Sequence, residues 1–234
     1  LLTRGHRFAG PSRGRVPGMP ESAEDYYARI VAATDTGAIG GRLPVGVELM
    51  PGWDIFPYEL DSLRVKPIEP LLEVEPARGG EEPATCTCRQ GPPTEGVVWS
   101  NERWSLVAER SGLPIIAVLI PHAHHDLADL PADLAAEMGQ LFVVIAGVIE
   151  ALPSVGRAHL ARYGDGGAHL HPMFFGRPAR AGQFRGSPLL DWEENLPRVP
   201  QEVADENARF VADRIVAAYG GRAHTPADAG PEDR

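Results

Sequence analysis

The stretch that most constrains this chain is residues 164–178, Gly-Asp-Gly-Gly-Ala-His-Leu-His-Pro-Met-Phe-Phe-Gly-Arg-Pro. Strand side chains alternate between faces. His169, His171, Met173 and Phe175 therefore fall on one side, and Leu170, Pro172 and Phe174 on the other. The glycines at 164, 166 and 167 favour a turn that feeds this strand. Alternating imidazoles on one face, just after an exposed glycine backbone, can meet a phosphate or hold a metal. The same pattern also describes surface histidines on a half-exposed strand.

Composition narrows the setting. The 234 residues, 43% of them apolar, suffice for one domain with appendages. Acidic residues outnumber basic ones 32 to 22, a net charge of −10 and the opposite of a nucleic-acid binder's basic footprint. A small phosphorylated ligand remains compatible, because loops and a few arginines set the local field. The longest apolar run, residues 141–149, is nine residues and too short to span a bilayer, so no membrane partner is expected. No basic-then-apolar leader opens the sequence, so no signal peptide is expected. The only cysteines, Cys86 and Cys88, are separated by one residue and are poorly placed for a mutual disulfide. A reducing cytoplasm is the expected compartment.

Along the chain, residues 1–20 are rich in Gly, Pro and Arg and read as disordered, with Met19 as the expected natural start. Residues 21–83 read as a helix and a Pro-rich extended arm. Tyr26, Tyr27, Ile30, Val31 and Ala33 sit near helical spacing, and seven prolines follow between 42 and 83. Trp53, Ile55, Phe56 and Tyr58 would anchor that arm on the domain.

Residues 84–180 form the expected core. Residues 97–99 and 104–109 read as a strand hairpin, 113–120 as a buried central strand and 121–126 as a loop. A long helix follows from Pro131 to about Leu152, burying Leu134, Met138, Leu141, Phe142, Ile145 and Ile149. Residues 158–163 are a further strand, turning at 164–167 into the two-histidine strand. In 181–221, a loop precedes a final helix from about Pro200 to Tyr219, capped by Gly220 and Gly221; residues 222–234 read as a disordered tail. The apolar stripe of that helix is core or dimer surface. This order points to an α+β fold, an antiparallel sheet with a long packed helix.

Several segments together carry a resemblance to a known family: Val-Val-Trp-Ser-Asn-Glu-Arg-Trp at 97–104, Leu-Ile-Pro-His-Ala-His-His-Asp-Leu-Ala-Asp-Leu-Pro at 119–131, and His-Leu-His after the glycine turn. In this order and spacing, residues 86–178 resemble the histidine triad (HIT) superfamily of nucleotide hydrolases and transferases. The resemblance implies a HIT-like sheet and attack by His171 on the α-phosphorus of a nucleotide or nucleotide-sugar-like substrate. His169 would support it, and the backbone of Gly164, Asp165, Gly166 and Gly167 would receive phosphate oxygens. Met173 stands where the motif carries a third histidine and, unlike one, offers a phosphate no charge. Asn101 and Glu102 would lie near the ribose, and Arg177 near phosphate.

No cofactor is required by this resemblance, but zinc-binding members imply a metal set of Cys86, Cys88, His124 and His169, chemically suited to a tetrahedral site. The resemblance also implies a homodimer. The alternatives are a nucleotide-binding or regulatory protein on the same fold without its chemistry, and a repurposed biosynthetic enzyme.

Overall fold

The computed structural model describes residues 69–196 and 198–224, together with Ala32, Thr34 and Gly41. The N-terminal segment 1–20, most of the helix and arm expected over 21–83, the anchors Trp53 to Tyr58 and the tail beyond 224 lie outside the described residues. The chain divides into Leu1–Glu75 and Pro76–Arg234, and the second unit carries the fold described here.

That unit is a six-stranded antiparallel sheet. β1 (Val97–Ser100) and β2 (Trp104–Glu109) form the expected hairpin, and β3 (Ile116–Pro121) pairs with β2 along its whole length. α1 (Ala132–Glu150) follows, then β4 (Val155–Ala161) and β5 (Met173–Pro178). A short helix α2 (Leu189–Asn195) precedes the long helix α3 (Gln201–Tyr219) and a final strand β6 (Arg222–Ala223). The sheet order is β4-β5-β3-β2-β1-β6. β3 and β2 occupy its middle, which explains the apolar character of residues 115–119.

The helix face holds the larger core. Trp99, Trp104, Leu106, Ala117, Leu119, Leu170 and Phe174 meet Leu134, Leu141, Ile145 and Ile149 of α1 and Val211, Ala212 and Ile215 of α3. By length and composition α1 would also pass for a membrane span, with a mean hydropathy of 1.7, but its inward residues are packed in this core. On the other face, Leu113, Ile116, Phe175 and Leu189 form a smaller cluster, joined by Ala161, Met173, Phe184, Leu190 and Leu196.

Two expectations change. The two-histidine segment is not a strand: Ala168 and His169 lie in a bend, and the ladder strand begins only at Met173, after Pro172, which has no N–H to donate. The Pro172 carbonyl still accepts from Leu119 N at 2.9 Å, so the segment stays beside β3. The chain also remains in the sheet beyond residue 221: Gly220, at φ 99°, ends α3, and Arg222 and Ala223 pair with Ser100 and Trp99. A two-residue strand held by main-chain bonds leaves no hydrophobic period to read.

Candidate metal and nucleophile site

The site lies where three segments converge: the cysteine turns, the loop after β3 and the residues before β5. Cys86 ends one 3-10 turn (Pro83–Thr85) and opens the next (Thr87–Gln90), itself extended at ψ 139°. This kink lets both sulfurs of a Cys-x-Cys pair reach the histidines. Cys86 Sγ lies 3.5 Å from His169 Nδ1, and Cys88 Sγ lies 3.6 Å from His124 Nδ1. All four donor atoms fall within 4.8 Å of one another.

These separations fit a metal. Zinc bonds of ~2.3 Å to sulfur and ~2.0–2.1 Å to nitrogen, at a tetrahedral angle, place neighbouring S and N donors about 3.6 Å apart. The outer contacts fit as well. His169 Nε2 donates to the Pro121 carbonyl at 2.8 Å, which leaves the Nδ1 lone pair directed at the cysteine side. Burial, with His124, His171 and His125 nearby, pushes the His169 imidazole below its ordinary pKa, favouring the neutral form that coordinates. Burial and the neighbouring Cys86 push the Cys88 thiol up.

The cysteine segment is tied to the histidine segment through backbone. Gly79 N donates to Gly166 O at 2.9 Å and Ala168 N to Gly79 O at 3.0 Å, forming a parallel bridge between Gly79 and Gly167. Gly80, at φ 72°, lies so close to Cys86 that a Cβ there would meet its Cβ and Sγ at 3.3 Å. Asp126 adds a second tie: its carboxylate accepts from Arg78 at 2.7 Å and also pairs with Arg162. Against the upward push of burial, these arginines and the Leu127 N–H hold the Asp126 carboxyl below its usual range. Nothing in the sequence signals this cluster, since Arg78 and Asp126 stand 48 residues apart.

His171 sits one alternation beyond His169. Its Nδ1 lies 2.6 Å from the His169 carbonyl oxygen, an acceptor only, so Nδ1 carries the proton and Nε2 the lone pair. Met173 follows on the same face, half-buried against the smaller cluster. Gly164 and Gly167 are half-buried, whereas Asp165 and Gly166 are exposed. None of these glycines has a positive φ, so the turn is not an alternating left- and right-handed nest.

Two of the residues expected to bind substrate are engaged elsewhere. Asn101 Oδ1 accepts from Arg103 N and Trp104 N, both at 2.8 Å, and its Nδ2 donates to Glu137; it closes the β1–β2 turn. Arg177 shares the His171 face by alternation but stands six positions along, roughly 20 Å in an extended chain. Its guanidinium donates to the Pro178 carbonyl at 2.8 Å. His122 is no ligand either: Nδ1 donates to Glu102 O, and Nε2 accepts from the buried Ser105 hydroxyl at 2.9 Å. A separate cleft of about 410 Å³, lined by Ser100, Asn101, Glu102, Gly221, Arg222 and His224, contains none of Cys86, Cys88, His124, His169 and His171.

No protein-family model matches this sequence, and no curated protein does. Among solved structures, the chain is similar to a zinc-bound histidine triad family protein from Mycobacterium smegmatis, with 19% identity and a TM-score of 0.38 over 54% of this chain and 87% of that one. It is also similar to a HIT-like protein involved in cell-cycle regulation from Bartonella henselae, with 13% identity and a TM-score of 0.43 over 59% and 99%. A third is a hypothetical histidine triad nucleotide-binding protein from Sulfolobus tokodaii, with 15% identity and a TM-score of 0.41 over 58% and 97%.

Proposed function

We propose that the chain is a histidine-triad-type enzyme that takes a nucleotidyl group onto His171 and passes it to water or another acceptor. The observation that carries this reading is the 2.6 Å bond from His171 Nδ1 to the His169 carbonyl. It holds the ring with its N–H at Nδ1, so that Nε2 is the nitrogen that would attack. The resemblance of residues 86–178 to the superfamily supplies the substrate class, a nucleotide or a nucleotide-sugar-like compound attacked at its α-phosphorus. The N–H groups around Gly164–Gly167 are the proposed donors to the phosphate oxygens.

Cys86, Cys88, His124 and His169 would hold zinc, and the metal would act there as a structural cross-link between the cysteine turns and the histidine segment. His169 then has two tasks on this chain. Its ring completes the donor set, and its carbonyl orients His171.

The test is intact-protein mass spectrometry after brief incubation with adenosine and guanosine nucleotides, comparing wild type with His171→Ala. The expected result is a nucleotidyl adduct in wild type only, with turnover reduced by at least ~10³-fold in the variant. An adduct persisting in His171→Ala would overturn the assignment. Nucleotide binding without adduct or turnover would make this a binding protein.

A further inference from the structure

We infer that Ser100 and His224 form a second nucleophilic site, at which the serine hydroxyl is acylated by small uncharged carboxylic esters. The inference is independent of the reading of His171. Ser100 Oγ lies 2.8 Å from His224 Nε2, the hydrogen-bond distance of a nucleophile and its general base. Both residues line the cleft of about 410 Å³ beside β1 and β6, a volume suited to a small ligand.

Local structure brings the pair together. Gly220 and Gly221, at φ 99° and 83°, turn the chain from α3 back along β1. A Cβ on Gly221 would meet Trp99 Nε1 at 2.6 Å and Ser100 O at 2.7 Å, so only glycine admits this approach. Trp99 Nε1 donates to Gly220 O at 2.8 Å, and His224 N donates to Val98 O at 2.8 Å. Ser100 and Arg222 are direct cross-strand partners, which puts residues 222 and 224 on the Ser100 face of the sheet.

A neighbouring pair supplies the contrast. Ser105, the cross-strand partner of Ser100 on β2, also meets an imidazole, His122 Nε2 at 2.9 Å. Ser105 is 1% exposed, and His122 gives its other nitrogen to Glu102 O. That pair is a packed tie between β2 and the loop after β3. Ser100 and His224 are instead half-buried and open on the cleft. Main-chain pairing and the Trp99 indole hold β6 to β1 without calling on the His224 ring.

In the first step Ser100 Oγ bonds to the ester carbon, its proton passes to His224 Nε2, and the carbonyl electron pair moves onto oxygen. Arg222, which also lines the cleft, is the cation that would meet this negative charge. The carbon–oxygen bond to the leaving alcohol then breaks, and Nε2 gives that oxygen the proton. Water attacks the acyl-serine, one of its protons goes to Nε2, and Oγ recovers a proton as the carbon–Oγ bond breaks. One ester and one water yield acid and alcohol. Glu102 on the cleft wall opposes an anionic substrate and Arg222 a cationic one, which favours uncharged esters.

The experiment treats the full chain with a fluorophosphonate probe, maps the adduct by peptide mass spectrometry, and follows 4-nitrophenol release from 4-nitrophenyl acetate. The expected adduct is on Ser100, formed as fluoride leaves and the hydroxyl proton passes to His224. Ser100→Ala should abolish labelling and cut the release. His224→Gln should slow both by about 10²-fold or more, whereas Ser105→Ala should leave both rates unchanged. No adduct on Ser100, or one formed equally fast with His224→Gln, would overturn the inference and leave the pair as a structural tie. Should a variant fail to fold, the wild-type adduct alone decides. Neither readout involves nucleotidyl transfer to His171, so the two readings fail separately.

Discussion

The two faces of the sheet use the same strands for different ends. On the helix face, Trp99, Trp104, Leu106, Leu119 and Phe174 are fully buried against α1 and α3, and the Phe142 ring meets Phe174 edge-on at 5.7 Å. On the opposite face a smaller cluster around Phe175 gives way, toward the start of β5, to half-buried His171 and His169. Adjacent residues of one strand, Phe174 and Phe175, divide between these clusters. Stability is concentrated where burial is continuous. The proposed chemistry sits where the apolar packing stops and polar ties between loops take over.

The largest expected stability effect tests the first half of that contrast. Phe174→Ala should cost about 3–5 kcal/mol in urea unfolding, with Phe175→Ala costing less. Equal costs would break the comparison. Next is metal removal. If zinc is bound at ~1,000 times its dissociation constant, stripping it should cost about 4 kcal/mol, read as a fall in Tm with chelator that added zinc restores. Cys86→Ser should remove the chelator response, whereas Phe174→Ala should keep it.

A smaller effect is expected at the Asp126 tie, where Asp126→Asn should cost about 1 kcal/mol at neutral pH. The Asp126 carboxyl titrates lower in the folded chain. Its contribution is therefore fully present above an unfolded value of about 4, and is lost as pH falls through the lowered folded value. The Tm gap between wild type and variant should close in acid; a gap that widened would reverse the sign. Smallest is Leu160→Ser on the edge strand β4, 45% exposed, which should stay within ~0.5 kcal/mol.

Periodicity made the large elements legible. The strand expected at 104–109 is Trp104–Glu109, and the two long helices end within about two residues of their expected limits, because each buries a continuous stripe. α2 and β6 were not legible: the first is seven residues long and the second two, too short for a period to show. At the site, the Cys86, Cys88, His124 and His169 set was readable from residue type and the family resemblance, and the structure brings those donors together. For Arg177, alternation gives a face and no distance along it, and its guanidinium donates to the Pro178 carbonyl. Asn101 closes the β1–β2 turn, and a turn and a ribose contact call for the same side chain. The Arg78–Asp126–Arg162 cluster joins distant segments by charge alone, a pairing that one sequence does not reveal.

The most direct measurement of the account is a long-range ¹H–¹⁵N NMR correlation of the histidine side chains in the zinc-loaded protein. The account predicts His171 protonated at Nδ1 with an unprotonated Nε2, and His169 protonated at Nε2 with a metal-shifted Nδ1 that reverts on chelation. A His171 protonated at Nε2 instead, or a His169 Nδ1 indifferent to zinc, would contradict it.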